Sequence, residues 1–135
     1  MSIVIYTDGG ARNNPGPAGA GVVIYNGEEK IAEAKQYLGE QTNNWAEYEA
    51  VLVALGKAHE CLLRGQDIEF RLDSLLVVEQ LKGKWKIKEP NLKVQAQRVR
   101  EALKDFGIVT FTYVPREKNK EADRLVNEAI DESGA

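Results

Sequence analysis

Hydrophobic and polar positions alternate at the start of the chain and then change period. Residues 3 to 8, IVIYTD, are β-branched and aromatic and halt at Asp-Gly-Gly, which predicts a first strand ending at Asp8. Residues 20 to 25 and about 31 to 38 predict two more strands, with Asn26-Gly27 as the hairpin turn between them. Asn43 or Asn44 is the expected cap of a helix with apolar residues at Trp45, Tyr48, Leu52 and Leu55 and a second stripe at Val51, Ala54 and Ala58. A helix apolar over so much of its surface is largely buried. Gly65 closes the helical region, and residues 67 to 72, DIEFRL, alternate into a fourth strand beside Asp73. A short helix follows Ser74, then a lysine-rich connection, then a helix from about Leu92 to Lys104. Residues 108 to 114 predict a fifth strand closed by Pro115, and Asn119 to Ile130 a terminal helix. The order βββαβααβα defines an α/β fold built on a mixed five-stranded sheet flanked by helices.

That order has a chemical consequence. Helical crossovers make strands one, four and five parallel, while the short early links make strands one to three antiparallel. Ligands of open sheets gather beyond the carboxyl ends of parallel strands, and both Asp8 and Asp73 fall there. Glu47 lies in the first turn of the buried helix, on a stripe otherwise made of Val and Ala, where a carboxylate needs a partner. Other readings stand beside this one: Asp73 is placed to cap the helix that follows it, and Asp123, in KEADRLV, is placed to make an exposed salt bridge.

Composition bounds the setting. With 135 residues, 43% of them hydrophobic, the chain is expected to fold as one domain spanning residues 1–135. A lone cysteine, Cys61, cannot form an internal disulfide, and with no run of about 20 apolar residues the expectation is a cytoplasmic protein without a membrane partner. The net charge of -3 argues against binding nucleic acid through general attraction. Residues 82 to 93, KGKWKIKEPNLK, nevertheless carry five lysines against one glutamate, so a polyanion would meet the chain there.

Five blocks then fall into a known arrangement: YTDGG at 6 to 10, NPGPAG at 14 to 19, TNNWAE at 42 to 47, DS at 73 to 74 and NKEAD at 119 to 123. In these blocks the chain resembles type 1 ribonuclease H, from residue 3 to about residue 130. The resemblance implies a ribonuclease H-like fold and an endonuclease that hydrolyses the RNA strand of RNA-DNA hybrids, leaving 5′-phosphate and 3′-hydroxyl ends. Asp8, Glu47, Asp73 and Asp123 match the family's four catalytic, metal-binding carboxylates. Hard Mg²⁺, with Mn²⁺ as a substitute, suits such oxygen ligands, and two ions about 3.5 to 4 Å apart serve the attacking and leaving oxygens together, Asp8 bridging them. Gly10, Ala11, Arg12, Asn13, Asn14, Asn43 and Ser74 match the side that meets RNA, Thr42 matches a phosphate-holding threonine on the DNA side, and Gly9 and Asn44 are expected to bind substrate beside them. Lys84, Trp85, Lys86, Arg116 and Asn119 complete the expected substrate surface, with Trp85 packed into the core as the competing reading.

Two departures qualify the likeness. Only PREK links Val114 to Asn119, where many members carry a loop histidine, and Arg116 or Glu117 is left to assist proton transfer or product release. His59, the sole histidine, lies beyond Glu47 in the first helix and is expected to decorate it. The connection LKGKWKIKEPNL is also shorter than the basic protrusion of some members, which admits duplex RNA as a further substrate. The expected state is a monomer.

Overall fold

A computed structural model describes residues 2–135. The elements are β1 (Ile3–Ala11), β2 (Gly16–Asn26), β3 (Glu29–Gln41), α1 (Asn43–Glu60), β4 (Ile68–Leu72), α2 (Leu75–Leu81), α3 (Pro90–Leu103), β5 (Val109–Tyr113), a 3-10 turn (Arg116–Lys118) and α4 (Lys120–Glu132). Their order matches the hydrophobic patterning. The five strands form one sheet in the order β3-β2-β1-β4-β5, antiparallel from β1 to β3 and parallel from β1 through β4 to β5.

Boundaries depart from expectation where glycine was read as punctuation. β1 runs on from Asp8 to Ala11, and β2 begins at Gly16, because Gly9, Gly10 and Ala11 stay in the antiparallel ladder opposite Ala20, Gly19 and Ala18. The β2–β3 turn is Gly27-Glu28 rather than Asn26-Gly27, since Asn26 still pairs with Glu29. α1 is capped by Thr42, not Asn43 or Asn44: the Thr42 hydroxyl accepts from the Trp45 N–H at 3.2 Å. That helix ends at Glu60, before Gly65. α3 starts at Pro90, since proline's fixed φ and missing N–H suit the first helical turn.

Alternate residues of the central strands face opposite ways. Ile3, Ile5, Val22, Ile24, Ile68, Phe70 and Leu72 are buried against the face of α1 that carries Val51, Ala54, Leu55 and Ala58, and the rings of Phe70 and Phe111 stack at 5.4 Å. Each large apolar side chain so buried contributes roughly 1.5–3 kcal/mol. α4 covers the other face over β2 and β3, leaving Val4, Tyr6 and Arg71 of β1 and β4 lining an open cavity of about 600 Å³. Cys61 is a free, partly buried thiol packed on the core. His59 faces Asp105 at 3.0 Å at the far end of α1.

Two close approaches bring helices onto the sheet beside Asp8. A Cβ on Gly9 would lie 2.1 Å from the Ala46 carbonyl oxygen, so only glycine lets the start of α1 settle against β1. Gly21 pairs with Asp8 across the hairpin, and a Cβ there would lie 2.2 Å from the Ala122 carbonyl oxygen of α4. Glu47 follows Ala46 and Asp123 follows Ala122, so each approach carries an acid toward Asp8.

Candidate active site

The parallel pairing of β1 with β4 ends at Thr7–Leu72, one residue before Asp8 and Asp73. The sheet thus opens where these two acids emerge. Glu47 joins them from the first turn of α1, and one carboxylate oxygen from each of Asp8, Glu47 and Asp73 lies within 4.8 Å of the others. Asp73 is not spent as a helix cap, because Ser74 does that work, its hydroxyl accepting from the Val77 N–H at 3.3 Å. Asp123 lies outside this trio but lines the same cavity of about 450 Å³, with its carboxylate 4.0 Å from the Arg116 guanidinium.

Burial and crowding make the cluster electrostatically costly. Asp8 is pushed up to about 8, chiefly by burial and then by the charge of Asp73, while Glu47 supplies a partly compensating hydrogen bond. Glu47 is raised well above the ordinary carboxylate range, first by burial and then by Asp8 and Asp73, against a hydrogen bond from the Gly9 backbone. Asp73 is also raised by burial, offset in part by the Asn119 amide and by Arg116. One Glu47 oxygen, Oε2, is buried without a hydrogen-bond partner among the described residues. Hard-oxygen donors held this close with an unpaired buried oxygen fit a divalent cation, which would relieve the repulsion and satisfy the orphaned atom.

Neighbouring polar groups brace the rim. The Ala11 N–H donates to Asn43 Oδ1 at 2.7 Å, and the Asn43 N–H donates to Asn14 Oδ1 at 2.9 Å, which ties the end of β1 and the following loop to the start of α1. Gly9, Gly10, Ala11, Arg12 and Asn43 line the carboxylate cavity. Asn44 is half-buried on the first turn of α1. Lys84, Trp85 and Lys86 lie apart, in the exposed connection between α2 and α3.

Three more of the residues singled out from the sequence take definite places. Trp85 is 46% exposed, so it is not a core residue. Asn119 is 1% exposed, its amide donates to the Thr7 carbonyl at 2.8 Å beneath β1, and it lies beside Asp73. Glu117 lines the cavity on the open sheet face and not the one holding the acids, whereas Arg116 lines the latter. Sequence reading missed Asn127 and Val126 as cavity residues. Asn127 lies one helical turn beyond Asp123, so the same helical spacing that governs α1 would have found it.

A mixed sheet with an acidic trio at the ends of its central parallel strands defines a ribonuclease H-like α/β protein. Residues 6–129 match the Reverse transcriptase-like family. Ribonuclease HI of Halobacterium salinarum is 44% identical over 129 residues, which cover 95% of this chain and 64% of that protein. The bifunctional protein Rv2228c of Mycobacterium tuberculosis is 41% identical over 133 residues, 97% of this chain, which thus spans only 36% of the length of that relative. Among solved structures, LC11-RNase H1 in complex with an RNA/DNA hybrid superposes with a TM-score of 0.94 at 45% identity, covering 99% of this chain and 100% of that one. RNase H1 of Halobacterium salinarum NRC-1 superposes with a TM-score of 0.92 at 42% identity, covering 98% and 99%. The chain belongs to the type 1 ribonuclease H family.

Proposed function

We propose that this chain is a metal-dependent endonuclease that hydrolyses the RNA strand of RNA-DNA hybrids. The observation that carries this reading is the convergence of Asp8, Glu47 and Asp73 within 4.8 Å, one of them with a buried oxygen lacking a partner, in a fold shared with a hybrid-bound relative. In this reading residues 1–135 act as one monomeric ribonuclease H domain in the cytoplasm. Asp8, Glu47, Asp73 and Asp123 would hold two Mg²⁺ ions when substrate is bound, with Mn²⁺ as a substitute. Cations so held supply charge stabilisation to the attacking and departing oxygens of a phosphodiester, which leaves 5′-phosphate and 3′-hydroxyl ends.

The chain's own groups supply placement. Gly10 and Ala11, beside Gly9, offer backbone with little side-chain bulk, so a ribose carrying a 2′-hydroxyl has room to approach, and Asn14, Asn43, Asn44 and Ser74 offer polar groups around it. Thr42 meets a phosphate of the DNA strand. Lys84 and Lys86 hold backbone phosphates farther from the cut, and Trp85 packs against a sugar between them. The Arg116 guanidinium offers donors and no acceptor, which suits it to an incoming phosphate beside Asp123 rather than to the work of a base.

Cleavage of matched hybrid, RNA duplex and DNA duplex, with and without Mg²⁺, tests the reading. The hybrid is expected to be cut, the DNA duplex spared, and activity lost in chelator and restored by Mg²⁺ or Mn²⁺. Preference for the DNA duplex, or full activity in chelator, would overturn it, and equal cutting of RNA duplex would widen the substrate class.

A further inference from the structure

A polar side chain away from the carboxylates connects them with the lysine-rich connection. Gln80 lies in the last turn of α2, a helix that buries only Val77 and Val78 besides it, and it is 4% exposed. Both ends of its amide are used. Oε1 accepts from the Tyr48 hydroxyl at 2.7 Å, and Nε2 donates to the Lys86 carbonyl at 3.2 Å. The orientation is chemically fixed, since a carbonyl only accepts and Nε2 must therefore face Lys86, leaving Oε1 to the hydroxyl. Tyr48 follows Glu47 in α1, and α2 begins two residues after Asp73, so the amide joins α1, α2 and the segment carrying Lys84, Trp85 and Lys86.

The connection has few other holds. Backbone bonds from Gly83 to the Gln80 carbonyl and from Lys84 and Trp85 to the Glu79 carbonyl fix its first half, at 2.9 to 3.2 Å. From Lys86 to Lys88, among the described residues, the bond to Gln80 is the one hydrogen bond made, alongside packing of Ile87 on the core. Lys82 leans on Glu79 at 3.8 Å, while Lys84 and Lys86 are exposed and, among the described residues, have no carboxylate in ion-pair reach. Flexible lysines grip a polyanion best when their backbone is already placed, because ordering it on binding costs affinity.

We propose that Gln80 is a positioning residue for hybrid binding: through Lys86 it holds the lysine-bearing connection in register with Glu47 of α1 and with Asp73, which precedes α2. This rests on the functional reading given above. The substitution Gln80→Met removes the bond to Lys86 at nearly constant volume, and Gln80→Glu keeps an acceptor for Tyr48 but, once ionised, has no donor for Lys86. Both are expected to raise KM for a hybrid about three- to tenfold, the scale of one net hydrogen bond, with kcat changed by less than about twofold. In a Trp45→Phe background the emission of Trp85 should become more accessible to a neutral quencher. Val99→Ala, a buried change in α3, is the stability control and should lower the melting temperature without moving KM. Lys84→Ala with Lys86→Ala should raise KM as well.

If the Gln80 variants lose melting temperature as Val99→Ala does but keep the parental KM, Gln80 is merely structural and the proposal fails. If they raise KM while the double lysine variant does not, the connection is not the surface being placed, and the proposal fails for that reason. A parental chain that leaves hybrid intact overturns the functional reading itself, a result distinguishable from either.

Discussion

Asp8 illustrates how costly a single buried side chain can be. Its carboxyl is raised from 3.8 to about 8 by burial and by Asp73. Between those values the folded chain holds a proton that the unfolded chain has released, so the stability Asp8 contributes is full below pH 3.8 and is lost as pH climbs through about 8. Metal-free protein is therefore expected to melt lower at pH 8 than at pH 5. Asp8→Asn, which cannot ionise, should flatten that slope and raise the melting temperature at pH 8 by about 4 °C, the effect of ~1 kcal/mol in a domain of this size. The same variant should lose hybrid cleavage while keeping its circular dichroism spectrum. A variant that cleaved at the parental rate, or melted with the parental pH dependence, would show that the charge of Asp8 is not what the cluster turns on. Adding Mg²⁺ to parental protein at pH 8 should raise its melting temperature, and Asp8→Asn should blunt that rise.

At the scale of elements, the sequence revealed which segments are strands and helices but not how close they come. Apolar spacing located α1 because Trp45, Tyr48, Leu52 and Leu55 repeat with helical period, and Asp73 was legible as a strand end because DIEFRL alternates so cleanly. Asp-Gly-Gly misled because glycine has two uses. Here Gly9 serves close packing against Ala46 inside a continuing strand, a tertiary fact that no local pattern contains. The bond of Asn119 to Thr7 was illegible for a similar reason, since it spans 112 residues of sequence. Gly9→Ala should force α1 off β1, cost about 1–3 kcal/mol in denaturant unfolding, and reduce cleavage by displacing Glu47. Parental stability in that variant would mean that the approach is not tight. Ser74→Ala removes the cap of α2 and should cost about 1 kcal/mol, leaving Asp73 in place and cleavage reduced far less than by Asp8→Asn.

For the molecule as a whole, a net charge of -3 coexists with a strongly basic connection, so attraction to a polyanion is local rather than general. Hybrid affinity should fall with salt along a shallow log–log slope, and removing Lys84 and Lys86 should reduce that slope by roughly two phosphate contacts. A slope unchanged in the double variant would place the phosphate contacts elsewhere. The sheet's uneven covering also leaves its mark. On β4, Ile68, Phe70 and Leu72 are sealed beneath α1 while Glu69 and Arg71, turned to the other side, remain partly wetted. A scan of every amino acid through those five positions should return a sawtooth, intolerant and permissive by turns, and the tooth spacing would report which side of the sheet each position faces without a single coordinate.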